Sequence, residues 1–252
     1  MINPFFFGPD DKKLYGMWSP SQAVSAKDEA FLLCYPFGQE YLLIHRAFRQ
    51  LTAQLQRAGF SVLRFDYYGT GDSMGESMEV DADIWRQNIH DAISELKLNS
   101  GVDSVRIIGA RLGGLLAAQV SSERDDVEQV MLWDAPLGGA LYLEEILHKT
   151  PKGLMSFLND RQDTFGVMGF PVTKRFRDSL SGLDLNGLIS SQPSKYWSLY
   201  SRLEAESKKP GFSFEVMEED VVWNDVDEYG RVLMPKKSLD ALVFHAKEKE
   251  HV

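Results

Sequence analysis

Residues 107–114 are Ile-Ile-Gly-Ala-Arg-Leu-Gly-Gly, and this stretch decides how the rest of the chain is interpreted. It has the frame of Gly-x-Ser-x-Gly, in which a buried strand ends in a tight turn that holds the central side chain above the sheet. The glycines on both sides let strand and helix approach closely. Here Arg111 stands at the central position. Because a guanidinium stays protonated and cannot attack a carbonyl, we expect no acyl-enzyme chemistry from this residue.

The composition predicts a globular protein that does not bind nucleic acid. The 252 residues are 44% hydrophobic and 25% charged, which is typical of one domain with a sizeable core. The formal net charge is −10, and no cluster of lysine or arginine offsets it locally, so a phosphate backbone would be repelled. We therefore expect no DNA or RNA partner.

Cysteine usage and the amino-terminal segment predict a cytoplasmic protein. Cys34 is the only cysteine, which excludes an intramolecular disulfide and disfavours a cysteine-rich zinc site. We expect no metal and no other cofactor. Residues 1–10 contain three consecutive phenylalanines but no basic lead and no long apolar run. They predict neither a signal peptide nor a membrane-spanning helix.

Short apolar runs alternate with segments of helical periodicity, which predicts an α/β fold with strands crossed over by helices in a mostly parallel sheet. The chain opens with a predicted hairpin that pairs residues 5–7 with 13–19. The buried strands that follow are predicted at residues 30–34, 61–66, 104–108 and 129–133, and the last strand and helix at 212–217 and 238–247. Such a sheet is covered by helices on both faces.

After residue 133 the alternation stops, and residues 135–209 carry several weak helical patterns separated by glycines and prolines. We predict that they form a helical cap inserted into the sheet. Residues 1–252 would then make a single α/β domain that contains the cap.

Several motifs spread over nearly the whole chain point to one family. They are Phe5-Phe6-Phe7-Gly8, Leu14-Tyr15-Gly16, Tyr35-Pro36-Phe37-Gly38-Gln39-Glu40, Asp66-Tyr67-Tyr68-Gly69-Thr70-Gly71-Asp72-Ser73, Gly109-Ala110-Arg111-Leu112-Gly113, Leu132-Trp133-Asp134-Ala135-Pro136 and Val222-Trp223. Together they resemble the α/β-hydrolase fold and, within it, the exosortase A system-associated hydrolases of the second subfamily. The resemblance implies an accessory protein of a bacterial exopolysaccharide pathway, in a family whose hydrolase name comes from its fold.

The resemblance also implies a strand order, with the strand before Arg111 placed between the strands that end at Cys34 and Trp133. Neighbouring strands lie about 4.8 Å apart, so Glu40, Arg111 and Asp134 would stand side by side at the carboxyl edge of the sheet. Open α/β sheets bind ligands at this edge. An arginine at a helix N-terminus is disfavoured by the helix dipole. We expect Asp134 to supply the compensating charge, with Glu40 second.

Two interpretations of Arg111 stay open. In the first, its ion pair fills the mouth of an active site that has lost its function, and no ligand binds. In the second, the planar guanidinium recognises a carboxylate or phosphate on a small ligand. The residues predicted to line such a site are Phe37, Gly38, Gln39, Arg111, Leu112 and Trp133. The loop at residues 37–39 is the one whose amides form the oxyanion hole in hydrolases of this fold.

No histidine lies where this fold would carry its catalytic base, on the loop ahead of the final helix at residues 218–237. Trp223 is among the residues that occupy this loop instead. His148, early in the predicted cap, is a weak catalytic candidate because it could overhang the site. His45 and His90 fall on predicted helices, where we expect a surface or core role, and we expect His245 and His251 to be solvated.

Other reactive side chains have structural explanations. Cys34 ends a predicted strand, where a buried cysteine usually serves as a small hydrophobe. Residues 66–73 are expected to form a turn in which Asp72 and Ser73 bond backbone amides. Neither feature requires a catalytic role.

Three functional hypotheses follow. The first is an accessory protein without a Ser-His-acid triad that binds a small anionic ligand at Arg111, which Asp134 and Glu40 would hold. The second is an active hydrolase of an ester, thioester or peptide-like bond, with Asp134 or His148 as an unorthodox base and Glu40 as a further candidate. The third is a module that docks a pathway protein. The expected partners are therefore a small anionic molecule, an acyl or saccharide-derived substrate, or a protein of the pathway.

Overall fold

The computed structural model describes residues 3–24, 26–150, 164–202, 212, 214–221, 223 and 234–248. The strands within these residues are β1 Asn3–Phe7, β2 Leu14–Ser19, β3 Glu29–Cys34, β4 Ser61–Phe65, β5 Ser104–Ala110, β6 Val127–Trp133, β7 Phe165–Val167, β8 Phe170–Val172, β9 Tyr196–Tyr200 and β10 Glu215–Val216. The helices are α1 Gln39–Arg57, α2 Ala82–Ser100, α3 Leu112–Ser122, α4 Gly139–Lys149, α5 Lys174–Leu180, α6 Leu185–Ser191 and α7 Lys236–Glu248, with a short 3-10 helix at Pro193–Lys195.

Eight of these strands form one sheet in the order β1-β2-β4-β3-β5-β6-β9-β10. Strand β2 runs antiparallel to β1 and β4, and the other neighbours pair in parallel. Helix α1 packs against α7, whereas α2 packs against α3. The predicted α/β fold with a mostly parallel sheet is confirmed, including the amino-terminal hairpin and the position of β5 between β3 and β6.

The central strands are buried on both faces, which explains their continuous apolar runs. The five side chains at residues 30–34 of β3 have no exposed area. Helix α1 turns one apolar stripe to this core, because its apolar residues recur at steps of three and four. The members of that stripe are Ile44, Phe48, Leu51 and Leu55.

Glycines allow β5 and α3 to pack closely around the turn at Arg111. A Cβ on Gly109 would lie 2.5 Å from the Cα of Gly114, and one on Gly113 would lie 2.3 Å from the carbonyl oxygen of Tyr35. Both contacts are with backbone atoms, which cannot move aside as a side chain can. The two glycines of the motif are therefore required by packing.

The segment predicted as a helical cap contains α4, the β7-β8 hairpin, α5 and α6. The range predicted for it, 135–209, also contains β9, which pairs with β6 in the main sheet. The sequence of β9, Tyr-Trp-Ser-Leu-Tyr, is only partly buried and lacks the aliphatic run by which a central strand is recognised. Residues 151–163 and 203–209 of the predicted cap lie outside the described residues. The predicted last strand at residues 212–217 is present as the shorter strand β10.

None of the helices in the described part of the chain combines the length and apolar character needed to cross a bilayer. The two longest, α1 and α2, have 19 residues each and carry charged side chains throughout.

Candidate active site

The candidate residues follow three neighbouring strands and therefore lie at one edge of the sheet. Strands β3, β5 and β6 are adjacent. Glu40 lies in the first turn of the helix that follows β3, while Arg111 and Asp134 come directly after β5 and β6. This is the carboxyl edge, where ligands bind in open α/β sheets.

The backbone at this edge is strained. Arg111 has φ 51° and ψ −126°, and Asp134 has φ 47°. Such conformations in residues other than glycine cost about 1–3 kcal/mol each and persist where the surroundings hold them. The surroundings here are hydrogen bonds: the Arg111 amide donates to Trp133 O at 2.9 Å, and the Asp134 amide donates to Leu199 O at 2.8 Å.

The guanidinium of Arg111 is bound in three directions. Its Nε donates to Oε1 of Glu40 at 3.0 Å, and its Nη1 donates to the backbone oxygen of Asp134 at 3.1 Å. Its Nη2 donates to Oε1 of Glu145 at 2.6 Å. Arg111 is 6% exposed. A buried arginine can remain charged here because two carboxylates and a carbonyl replace water.

The predicted ion pair between Arg111 and the Asp134 carboxylate is absent, and this expectation was wrong. The carboxylate instead accepts from Ser201 N at 2.7 Å, from Ser201 Oγ at 2.6 Å and from Trp223 Nε1 at 2.9 Å. The left-handed turn at Asp134 presents its carbonyl oxygen to the guanidinium and its side chain to the end of β9. Of the two predicted partners, the Glu40 carboxylate is the one in contact.

Sequence reasoning missed Glu145, the second partner of Arg111. Glu145 lies on α4, and its Oε1 also accepts from Lys149 Nζ at 3.1 Å. Tyr142 stands one helical turn earlier on the same face and donates its hydroxyl to Oε2 of Glu40 at 2.9 Å. The spacing of Tyr142 and Glu145 is a detectable signal, since side chains three apart share a helix face. It does not tell which part of the fold that face meets.

Burial and ion pairing shift the pKa values of Glu40 and Glu145 in opposite directions. Burial raises the pKa of Glu40 above its ordinary value, although Arg111 opposes the change. Burial also acts to raise the pKa of Glu145, but Arg111 and Lys149 outweigh it and the pKa is lowered. Burial acts to lower the pKa of Arg111, and the two glutamates raise it well above its ordinary value. Arg111 is therefore a permanent cation.

Trp223 occupies the place of the catalytic base, after β10 and ahead of α7. Its indole is 8% exposed and donates to Asp134, while the guanidinium carbon of Arg111 lies 5.7 Å from its ring centroid. The chain order Arg111, Asp134, Trp223 matches the order nucleophile, acid, base in this fold. An indole nitrogen is a donor only, so Trp223 cannot accept a proton as histidine does.

The loop predicted to make an oxyanion hole is covered by the hairpin β7-β8. Gly38 has φ 60°, and a Cβ built on it would lie 3.3 Å from the ring of Phe170. Phe37 is buried and packs on Phe170 and Phe176, with ring centroids 6.1 and 5.0 Å away. Gln39 is partly exposed.

The two remaining residues of the predicted ligand site are buried. Leu112 is the first residue of α3, directly after Arg111. Trp133 donates its indole N–H to Ser201 Oγ at 3.0 Å and contacts the ring of Trp223, with centroids 5.6 Å apart. Both side chains are therefore part of the buried hydrophobic core beside the site.

The four histidines in the described part of the chain, His45, His90, His148 and His245, lie apart from the contacts of Arg111 described above, and His251 lies outside the described residues. His148 is exposed on α4, whose site-facing residues are Tyr142 and Glu145. His245 is only partly exposed and stacks on Trp197, with centroids 4.2 Å apart, so the expectation that it is solvated was wrong. The terminal helix packs against the sheet there, which covers one face of the imidazole.

The other reactive side chains have structural roles. Cys34 is fully buried, and burial raises the pKa of its thiol to about 12, so the sulfur stays protonated. In the turn at residues 66–73, Ser73 Oγ accepts from Tyr15 N at 2.8 Å as expected. The expected role of the Asp72 carboxylate belongs to Asp66, whose Oδ2 accepts from Asp72 N at 3.0 Å.

Solved structures share this fold over almost the full chain. Est1E from Butyrivibrio proteoclasticus, solved with ferulic acid bound, is 14% identical with a TM-score of 0.65 and covers 98% of this chain and 97% of its own. An esterase from Pyrococcus furiosus is 17% identical with a TM-score of 0.63, covering 98% and 90%. A hypothetical protein from Pseudomonas aeruginosa is 16% identical with a TM-score of 0.67, covering 100% and 94%.

No curated protein sequence matches this chain. A family model described as serine aminopeptidase, S33, matches residues 44–191, which include the turn at Arg111 and helix α4. The match spans more than half of the 252 residues. With the α/β-hydrolase fold and the order of the site residues, this match shows that the chain belongs to the serine aminopeptidase S33 family of hydrolase-fold proteins.

Proposed function

We propose that this protein is a non-hydrolytic accessory member of its family, a pseudoenzyme that recognises a small anion and breaks no bond. The observation that carries the proposal is the guanidinium of Arg111 at the nucleophile position, held there by Glu40 and Glu145. A cation tied to two carboxylates cannot attack an acyl carbon. It can bind a negatively charged group.

The other two triad positions support the same conclusion. Trp223 cannot take a proton, and Asp134 already accepts three hydrogen bonds. A water molecule activated by Asp134 would have to compete with these donors. The unorthodox hydrolase hypothesis therefore has no geometric support at Asp134. His148 is exposed and is not among the hydrogen-bond partners of Arg111 described above, so the geometry does not favour it as a base.

The ligand class follows from the guanidinium. Its planar fork pairs with planar or tetrahedral oxyanions in two parallel hydrogen bonds. The neighbour Est1E was solved with ferulic acid, a carboxylic acid, which makes carboxylates reasonable first probes.

The pathway part of the proposal rests on the resemblance to exosortase-associated hydrolases. We infer a role in a bacterial exopolysaccharide or exosortase-type pathway, in which the protein presents or holds an acidic intermediate for a pathway protein. Glycosyltransferase and exosortase genes beside the coding gene are the expected observation. An unrelated gene neighbourhood would remove this part of the proposal without affecting the chemistry of the site.

Two assays test the absence of hydrolysis. The protein is treated with a fluorophosphonate and examined by intact mass, and it is assayed with p-nitrophenyl acetate. We expect no covalent adduct and no turnover above an Arg111→Met variant. Turnover that survives in Arg111→Met and disappears in Asp134→Ala would overturn the proposal and favour an active hydrolase.

A further inference from the structure

The two carboxylates on Arg111 are held very differently. The Glu40 side chain is 1% exposed, and its second oxygen accepts from Tyr142. The Glu145 side chain is 19% exposed, and its contacts with Arg111 and Lys149 use the same oxygen, Oε1. Glu145 is therefore the partner that can leave at lower cost, since water can reach its side chain.

Glu145 can leave Arg111 by a rotation of its side chain alone. The beginning of α4 is fixed, because a Cβ on Gly139 would lie 2.0 Å from the carbonyl oxygen of Leu180 and Tyr142 is fully buried. Glu145 stands nearly two turns into the helix, on its partly exposed part. The cap can thus stay in place while this carboxylate turns to solvent.

The charges decide which ligand fits the vacated position. A ligand carboxylate has the same planar shape and the same single negative charge as the Glu145 side chain that it replaces on Arg111. The exchange therefore leaves the local charge unchanged, whereas a phosphate dianion adds one negative charge to a poorly solvated site.

We propose that Glu145 is an internal competitor that occupies the ligand position on Arg111, and that a small carboxylate binds to Arg111 by displacing the Glu145 side chain. The inference rests on the proposed anion-binding function and specifies its ligand and its control. The protein is closed by its own carboxylate in the absence of ligand. The apparent affinity is the intrinsic affinity multiplied by the fraction of molecules in which Glu145 has turned away from Arg111.

Isothermal titration with benzoate tests the proposal, with benzamide as the neutral analogue and phenylphosphonate as the dianion. The variant Glu145→Gln keeps the shape of the side chain and removes its charge. We expect it to bind benzoate about ten-fold more tightly than the wild type, as one charged hydrogen bond no longer competes. Neither protein should bind benzamide, and phenylphosphonate should bind more weakly than benzoate.

Glu144→Gln is the matched control, because Glu144 is the exposed neighbour on the same helix and its loss removes the same charge. It should bind benzoate as the wild type does. Arg111→Met should abolish binding in either background, with urea unfolding used to show that each variant is folded. Equal benzoate affinity in Glu145→Gln and the wild type, or no benzoate binding to any variant, would overturn the displacement model. Neither result would imply hydrolysis, which the labelling and turnover assays report separately.

Discussion

Trp223 donates its indole N–H to the carboxylate of Asp134, with 2.9 Å between Nε1 and Oδ2. The two residues follow β10 and β6, the places from which a base and an acid meet in this fold. In a triad, one nitrogen of the histidine donates to the acid and the other accepts the proton of the nucleophile. Trp223 makes the first of these contacts and has no nitrogen for the second. Arg111 and Trp223 are therefore two residues that lack the chemistry which the serine and the histidine of a triad supply from these positions.

This relationship predicts that restoring the serine alone does not restore a hydrolase. Arg111→Ser should not react with a fluorophosphonate, because Trp223 cannot remove the hydroxyl proton. The double variant Arg111→Ser/Trp223→His places an imidazole beside Asp134 and should acquire the label, measured by intact mass. Trp223→His alone is the control and should stay unlabelled. Labelling of the single serine variant would show that some other group acts as the base.

A second prediction concerns the buried ion pair. Glu40→Ala leaves Arg111 with one carboxylate fewer in a site that water hardly reaches, and breaking such a pair costs about 3–5 kcal/mol. The free energy of unfolding in urea measures this loss. Glu144→Gln, at an exposed position, should change stability by less than about 0.5 kcal/mol. A Glu40→Ala variant as stable as the wild type would mean that the contact between Glu40 and Arg111 contributes little to the free energy of unfolding.

Acid should weaken the Glu145 contact. The pKa of Glu145 is lowered in the folded state, so the folded protein holds this proton less tightly than the unfolded chain does. The stability from the contact is present above the ordinary value of 4.5 and is lost as the pH falls through the lower folded pKa. Urea midpoints measured between neutral pH and acid should therefore converge for the wild type and Glu145→Gln as the pH falls. A difference between the two urea midpoints that does not change with pH would argue against an ionised Arg111–Glu145 pair.

The turn at Arg111 should tolerate no side chain at Gly113. A Cβ there would meet Tyr35 O at 2.3 Å and Cys34 O at 2.5 Å, and overpacking of this kind costs about 1–3 kcal/mol. Gly182→Ala is the matched control, since nothing lies within 4 Å of its added Cβ. Thermal denaturation of the two variants makes the comparison. Similar melting temperatures would indicate that α3 packs less closely against the end of β3 than described.

The strands and the residues at the sheet edge show which features of the fold and the site can be predicted from sequence patterns. The short apolar runs predicted β3 to β6 to within a few residues, because a strand buried on both faces is predominantly apolar. Strand β9 escaped prediction because partly buried strands mix polar and aromatic residues. Glu40 was recognised as a possible partner of Arg111 because both follow adjacent strands. Glu145 was not, since nothing local to α4 indicates what its face contacts.

By itself, the sequence determined the strand-and-helix alternation, the glycine-framed turn, and the loss of serine and histidine from their usual places. These properties are local, since they depend on residue type and on spacing over a few positions. Only the tertiary structure decided that Asp134 binds Trp223 and Ser201, and that Glu145 rather than Asp134 completes the Arg111 site. Those choices depend on which way each side chain leaves a strained turn and on how a helix far along the chain packs over it.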